Sequence, residues 1–282
     1  MTTDRTAEHS PARRAGVRFA AAALAASMLF SPLAASADED LWQSLKTDVF
    51  GDKQITEGDG VVIIDAPERA EDAAIVPITV RVPPTVKGAL KSMTLLIDKN
   101  PAPVAATFTF GEAAGNGGGE RRISTRVRID SYSYVRAVVE TEDGVLHMTK
   151  TFVKASGGCS APAPKDIDGA NSDLGKIVAR SFDPAVHTTP LREGQIMIRH
   201  PNINGLQMDP VTRAYTPARF VKDLTVKRGG DLVFHMEGTI SISSDPNFRF
   251  TYANTEGDND FEVTAVDTDE AVFKGESRVK GL

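Results

Sequence analysis

The sequence contains very little cysteine: Cys159 is the one cysteine among 282 residues. A single cysteine excludes an internal disulfide, and it excludes a thiol redox centre, which needs a second, resolving cysteine. It also leaves no second thiolate to help bind a structural zinc ion. In an exported protein the surroundings are oxidising, so such a thiol must be reactive, bonded to another molecule or hidden.

Histidine is also scarce, and no catalytic motif accompanies it. Beyond the N-terminal segment the candidates are His147, His187, His200 and His235. No two of them show the His-x-x-x-His spacing of a metal site, and no Gly-x-Ser-x-Gly elbow indicates a hydrolase. We interpret His147 and His235 as strand residues and His200 as part of a strand-end turn. The sequence therefore predicts no resident metal, no cofactor and no catalytic residue of its own.

Long apolar runs are absent apart from residues 19–30. This run is too short to span a bilayer, which takes about 20 residues. Arginines precede it, including a pair at positions 13 and 14, and a small-x-small sequence (Ala-Ser-Ala) follows it at residues 35–37. These are the three parts of a secretory signal peptide. We expect residues 1–37 to be removed on export to a bacterial periplasm, with the general secretory route favoured over the twin-arginine route.

Positive charge is in the minority, with 32 lysines and arginines against 38 aspartates and glutamates. The net charge of −6 argues against nucleic acid and anionic membrane as partners, and it favours neutral or basic proteins. Two acidic stretches, residues 258–260 and 267–270, suggest calcium. Neither has the ligand spacing of an EF-hand loop, so we interpret both as acidic turns.

What the chain does have is apolar residues that alternate with polar ones, after an amphipathic helix predicted over residues 39–50. Alternation predicts half-buried strands. The alternating runs are residues 78–82, 95–97, 108–110, 123–129, 135–139, 196–198, 232–236, 248–252 and 261–265. Residues 142–144 (Glu-Asp-Gly) predict a hairpin turn. Residues 160–174 are rich in Ser, Ala, Pro, Asp, Gly and Asn and lack any period, which is typical of a linker.

These patterns predict an all-β protein with a short N-terminal helix and two antiparallel β-sandwiches. We place the first sandwich at residues 38–159, the linker at 160–175 and the second sandwich at 176–282. Cys159 ends the first sandwich, with Gly157 and Gly158 before it and Ser160 after it. Because glycine adds backbone freedom and no apolar period surrounds the thiol, we expect its sulfur to face solvent on a mobile arm.

The first half resembles SoxY, the sulfur-carrying subunit of the periplasmic thiosulfate-oxidising system. The resemblance rests on residues 100–103 (Asn-Pro-Ala-Pro), 105–108, 127–133 (Val-Arg-Ile-Asp-Ser-Tyr-Ser), 135–144 and 157–159 (Gly-Gly-Cys). The second half is similar to SoxZ, the partner of SoxY, at residues 200–201 (His-Pro), 204–206 (Asn-Gly-Leu), 240–241, 245–248 (Asp-Pro-Asn-Phe) and 266–267. The order resembles a fused SoxY–SoxZ-like carrier of the type associated with quinoprotein (PQQ) dehydrogenases.

The resemblance implies two immunoglobulin-like sandwiches that pack together within one chain, and a carrier rather than an enzyme. Cys159 would hold the substrate covalently, and Gly157 and Gly158 would form a flexible arm. The cargo would be a sulfur-containing (thiosulfate-derived) or C1 intermediate. Separate periplasmic oxidising enzymes, including a quinoprotein dehydrogenase and c-type cytochromes, would load it and act on it.

The chain departs from the SoxY pattern at the arm. In the family the arm ends the chain with two further glycines, whereas here Ser160, Ala161 and Pro162 follow and the arm is internal. An arm tethered on both sides sweeps less volume, which leaves the partners and the cargo open. The alternative is a non-catalytic adaptor or binding module for a dehydrogenase or cytochrome, in which Cys159 is incidental.

Overall fold

The computed structural model of the chain describes residues 33–161, 173–182, 190–208, 212–254 and 260–277. A helix, α1 (Leu33–Phe50), covers the predicted helical stretch. Most of the predicted signal peptide and of the predicted linker lies outside the described residues. In the part that is described, no helix is both long enough and apolar enough to cross a membrane.

All of the described strands belong to residues 45–282, which form one compact unit. A short 3-10 turn, Glu112–Ala114, follows the fifth strand. The strands of the first half are β1 (Ile55–Glu57), β2 (Ile63–Asp65), β3 (Val76–Val82), β4 (Leu90–Ile97), β5 (Val104–Phe110), β6 (Arg121–Val127), β7 (Ser133–Thr141) and β8 (Leu146–Val153). Those of the second half are β9 (Ile177–Phe182), β10 (Leu191–Ile198), β11 (Val221–Arg228), β12 (Asp231–Gly238), β13 (Asn247–Ala253), β14 (Phe261–Asp267) and β15 (Val272–Ser277).

The described strands form two sheets, and each sheet takes strands from both halves of the chain. One has nine strands in the order β1-β8-β7-β4-β5-β12-β11-β14-β15, and the other has six in the order β2-β3-β6-β13-β10-β9. Their pairs are antiparallel except for β1 with β8. The all-β prediction is confirmed, and the alternation that predicted β3 is visible in its burial, with Val76, Ile78, Val80 and Val82 all buried.

The halves join edge to edge in both sheets. In the larger sheet β5 pairs with β12, so that Phe110 lies opposite Phe234 and Ala106 opposite Gly238. In the smaller sheet β6 pairs with β13 through Ser124. Each half therefore is a two-layered sandwich, and both of its sheets continue into the other half. An edge strand of one half forms its backbone hydrogen bonds with an edge strand of the other, so neither edge is left unpaired at the boundary.

A single hydrophobic core, between the two sheets, contains residues of both halves. Its centre is aromatic: Phe108 of the first half lies 5.8 Å from Phe234 and 6.0 Å from Phe248 of the second half, between ring centroids in edge-to-face arrangements. Phe250 extends the cluster to Phe261. Edge-to-face pairs add to the stabilisation from burial. The rings therefore stabilise the packing of the first half against the second.

We expect Phe108→Ala to destabilise both halves at once. Phe108 is 1% exposed, and truncation of a buried phenylalanine costs about 3–5 kcal/mol of the free energy of unfolding. Urea unfolding followed by circular dichroism should show a single shifted transition. Hydrogen exchange should report faster opening in peptides of β12 and β13 as well as β5.

The matched control is Phe152→Ala, because this ring is only half-buried and packs on Tyr134 of its own half. The control should cost less and leave β12 and β13 unchanged. If Phe108→Ala left exchange in the second half at the wild-type rate, the two halves would be independent folding units.

Candidate functional site

Cys159 is buried, with 1% of its surface exposed. The expectation that its sulfur faces solvent is therefore wrong for this structure. The residue lies in a turn after β8, and the flanking Ser156 and Ser160 are exposed while Gly158 and Cys159 are not. The segment around the thiol, residues 156–160, is called the cysteine arm below, and it is docked against the body of the protein.

The two glycines dock the arm through their backbones. The amide of Gly157 donates to the carbonyl of Asp130 at 2.8 Å, and the amide of Gly158 donates to the carbonyl of Ile129 at 3.0 Å. Gly157 has φ of 78°, in the left-handed region that favours glycine. A Cβ on Gly158 would clash with the carbonyl oxygens of Ala73 and Ile129, the latter at 2.6 Å. In this structure the two glycines therefore allow the backbone of the arm to approach the body of the protein closely, rather than giving the arm conformational freedom.

A loop of the second half covers the arm. This covering loop, residues 199–208, follows β10. Asn204 is 3% exposed, and its side-chain amide donates to the carbonyl oxygen of Cys159 at 2.6 Å. Its carbonyl oxygen accepts from the amide of Leu206 at 2.9 Å, which fixes the direction of the side chain. Asn204 is thus a clamp that connects the second half to the backbone of the cysteine itself.

Arg128 brings a positive charge to the thiol. The residue is 2% exposed, and its guanidinium donates to the carbonyl of Asn202, in the covering loop, at 3.1 Å. Its Nε has no hydrogen-bond partner among the described residues. Asn100 holds the segment, since its side chain donates to the carbonyl of Arg128 at 2.7 Å and accepts from the amide of Asp130 at 2.9 Å. Arg128 therefore touches both halves beside the docked arm.

A buried polar network supports the covering loop from below. The amide of Asn202 donates to Nδ1 of His200 at 3.1 Å, and Nε2 of His200 lies 3.4 Å from the carboxylate of Asp267. Burial lowers the pKa of His200 despite these partners. Burial pushes the pKa of Asp267 upward, but hydrogen bonds from Ala271 and Arg219 outweigh it and leave the pKa below its usual value. A neutral imidazole and an ionised carboxylate thus anchor the loop.

The electrostatics of the site keep the thiol protonated. Burial raises the pKa of Cys159 to about 11, the Asp130 carboxylate adds to the rise, and the positive charge of Arg128 opposes it. At pH 7 only about one thiol in 10⁴ is then ionised in the docked state. Because the thiolate is the nucleophile, the docked arm is unreactive.

Opening the arm requires few bonds to break. The anchors are the amides of Gly157 and Gly158 and the side chain of Asn204. Three hydrogen bonds at roughly 1 kcal/mol each hold the docked state by about 3 kcal/mol, or about a hundredfold in population. A small open population is consistent with such values.

The structure separates the other candidates from the site. His147 lies beside Asp59 and His235 beside Thr225, and among the described residues neither forms a hydrogen bond or ion pair with the cysteine arm, while His187 lies outside the described residues. Oδ1 of Asp267 accepts from the amides of both Asp269 and Ala271, as expected of an acidic turn. Part of the other acidic stretch, residues 258–259, is not described.

Sequence reasoning missed the residues that enclose the thiol. Arg128 and Asn204 lie in the stretches that resemble SoxY and SoxZ, at residues 127–133 and 204–206, but the resemblance implies no role for either residue. The sequence shows only that a basic side chain and an amide side chain stand in segments that otherwise resemble turns. Their meaning depends on the covering loop meeting the arm, which no local pattern indicates.

Comparison with known proteins gives two family matches on this one chain. Residues 46–159 match the model of the sulfur oxidation protein SoxY, and residues 185–278 match that of the sulphur oxidation protein SoxZ. The first match ends on Cys159. The two lie in tandem, in the order that the resemblance predicted. No curated protein matches the chain.

Solved structures show lower similarity. The structure of the sulfur carrier protein SoxY from Chlorobium limicola f thiosulfatophilum is 23% identical, covers 44% of this chain and 100% of its own, and has a TM-score of 0.36. A superoxide reductase (neelaredoxin) from Ignicoccus hospitalis is 14% identical, over 36% of this chain and 94% of its own, with a TM-score of 0.30. A putative superoxide reductase from Thermotoga maritima is 16% identical, with the same coverages and TM-score. These similarities are too low to transfer chemistry.

We expect Gly158→Ala to release the cysteine arm. The added methyl group meets two backbone carbonyls that cannot yield as a flexible side chain would, so the arm must leave its docked position. The rate at which the native protein reacts with a chromogenic disulfide reagent should rise by on the order of tenfold or more. The control is Gly230→Ala in the β11–β12 turn, where nothing lies within 4 Å of the new Cβ but the backbone is left-handed (φ 87°), so the substitution strains the chain without contacting the arm and should leave the rate at the wild-type value. Equal rates for wild type and Gly158→Ala would contradict the docked arm.

The pH dependence of thiol alkylation should differ between the docked and released arms. Docking raises the pKa of Cys159, so the docked state is favoured below the ordinary thiol pKa of about 8.5 and loses that advantage as pH rises toward about 11. The wild-type rate with iodoacetamide should therefore keep rising above pH 9. In Gly158→Ala the midpoint should fall toward the ordinary value. A wild-type midpoint near 8.5 would show that the thiol is not shielded.

Proposed function

Because the chain belongs to the sulfur oxidation proteins as a SoxY-like region fused to a SoxZ-like region, we propose that it carries a reaction intermediate covalently on Cys159. The observation that carries the proposal is that the SoxY match ends on this cysteine, which lies in an enclosure formed by both halves. A carrier needs a thiol that one enzyme can load and another can unload. The chain supplies attachment and reach, and separate enzymes supply the chemistry.

The docked arm is the resting state of this carrier. The thiol is buried and protonated there, so loading requires release from Asn204 and from the carbonyls of Ile129 and Asp130. In the released state Gly157 and Gly158 regain the freedom of a flexible arm. Docking then protects the unloaded thiol from unwanted oxidation. A single cysteine can therefore stay reduced in an oxidising compartment until it is loaded.

The charge beside the thiol supports an anionic cargo. Arg128 is buried, and its Nε has an unused donor among the described residues. A guanidinium binds sulfonate-like oxyanions well because its donors are planar and permanently charged. A thiosulfate-derived group fits this preference. A C1 intermediate, associated with the quinoprotein-linked carriers that the chain resembles, is the alternative cargo.

Loading such a cargo needs an external oxidant. Thiosulfate joined through its outer sulfur to the Cys159 thiol forms a sulfur–sulfur bond and a bound S-thiosulfonate (Cys–S–S–SO3⁻), and the step releases the thiol proton and two electrons. The described part of the chain has no second cysteine to accept them. A partner must therefore accept the electrons, which supports c-type cytochromes and a quinoprotein dehydrogenase as the oxidising enzymes served by this carrier. The predicted signal peptide at residues 1–37 supports a periplasmic location.

One observation favours a second candidate function. A cysteine that is 1% exposed and protonated has the character of a small apolar core residue. In that case the protein is an adaptor for a dehydrogenase or cytochrome, and Cys159 contributes only packing. Substitution by serine distinguishes the two, because a carrier loses all function and an adaptor retains it.

We expect intact-mass measurement to find cargo on Cys159. The chain is purified without reductant from its own cells during growth on candidate sulfur and C1 substrates. A mass increase that thiols reverse, absent from Cys159→Ser, is the expected result, and its size identifies the cargo. An unmodified mass on every substrate, together with normal substrate oxidation by cells that carry Cys159→Ser, would establish the adaptor instead.

A further inference from the structure

Three side chains with metal-binding atoms meet on β11 and β12 of the second half. Asp223 of β11 and His235 and Glu237 of β12 each offer one ligand atom, and these atoms all lie within 4.8 Å of one another. Asp223 and His235 are half-buried, and Glu237 is exposed. The three are called the carboxylate–histidine cluster below.

Strand register, rather than sequence spacing, creates the cluster. Asp223 lies opposite Glu237 across the β11–β12 pair, and Thr225 lies opposite His235. Residues two apart on a strand share a face of the sheet, so all four side chains project from the same side. Along the sequence His235 forms no His-x-x-x-His pair, but spacing of that kind does not describe ligands that lie on neighbouring strands.

The charges of the cluster call for a cation. Like charges directly opposite each other on paired strands are destabilising, and here two carboxylates face each other. Among the described residues neither Asp223 nor Glu237 forms an ion pair with a lysine or arginine. The neighbouring Lys222 instead pairs with Glu270 at 2.5 Å. The contact that remains is Nε2 of His235, 3.6 Å from Asp223.

The imidazole is oriented as a metal ligand would be. Nδ1 of His235 lies 3.0 Å from the hydroxyl oxygen of Thr225, and this contact directs Nε2 toward Asp223. Metal-binding histidines are held in this way, with one ring nitrogen on the ion and the other hydrogen-bonded to an oxygen. Thr225 is thus a positioning residue for the ring.

We propose that the carboxylate–histidine cluster binds a divalent transition-metal ion, with Zn²⁺ as the best match. One imidazole nitrogen and two carboxylate oxygens form a donor set that zinc accepts at about 2.0–2.2 Å. The ligand atoms would have to move closer together than their present separation of up to 4.8 Å to bind one ion, and none of the three side chains is fully buried. Three protein ligands leave a coordination position for water or for a side chain of another molecule. The site is independent of the carrier function proposed above.

The test is zinc binding to the untagged full-length chain, followed by competition with a chromogenic chelator at pH 7.5. We expect one site in the wild type and an affinity at least about tenfold weaker in both His235→Gln and Asp223→Asn. X-ray absorption of the loaded protein should show nitrogen and oxygen ligands without sulfur. Circular dichroism checks that each variant is folded, which half-exposed positions permit.

Two controls separate this site from other zinc ligands. His147→Gln removes a comparable imidazole that lies beside Asp59, and Cys159→Ser removes the thiol. Both should bind zinc as the wild type does. If the wild type bound no better than His235→Gln, or if affinity fell in either control instead, the assignment would be overturned.

Discussion

The pairing of strands across the boundary between the two halves is the constraint on which the rest of this structure depends. β5 pairs with β12 and β6 pairs with β13, and the rings of Phe108, Phe234 and Phe248 pack together in the core between the joined sheets. Because backbone ladders fix register, this pairing also fixes where the loops of each half lie. The covering loop meets the cysteine arm only because the sheets are continuous.

That geometry gives Cys159 two neighbours of different origin. The first half supplies the carbonyls that anchor the glycines and the charge of Arg128, and the second half supplies the clamp, Asn204. The arm therefore reports whether the halves are together, since neither half alone encloses it. The buried pair of His200 and Asp267, beneath the loop, gives the clamp a fixed base.

Much of the architecture could be predicted from the sequence, because alternation of apolar residues is a local signal. The runs at residues 78–82 and 248–252 became strands, and the turn at residues 142–144 joins an antiparallel pair. The join between the halves could not be predicted, since any strand edge can in principle receive a partner. The position of Asp223 opposite Glu237 could not be predicted either, because it depends on which strands pair and in which register.

The burial of the Cys159 thiol could not be predicted from its sequence neighbours. Gly157 and Gly158 indicated freedom, yet a missing side chain also permits a backbone to approach closely, and sequence alone does not distinguish these uses. The site residues found by resemblance were the cysteine and its glycines. The enclosing residues belong to matching stretches but act only through tertiary contacts.

Fusion of the two regions changes the concentration dependence of the clamp. In a pair of separate subunits, closure over the thiol would weaken as the proteins were diluted. Here Asn204 and Cys159 belong to one polypeptide and meet through continuous sheets, so closure is unimolecular, with the millimolar or higher effective concentration typical of linked groups. A fused chain at low abundance would shield its thiol as completely as an abundant one, and each thiol would have its own cover.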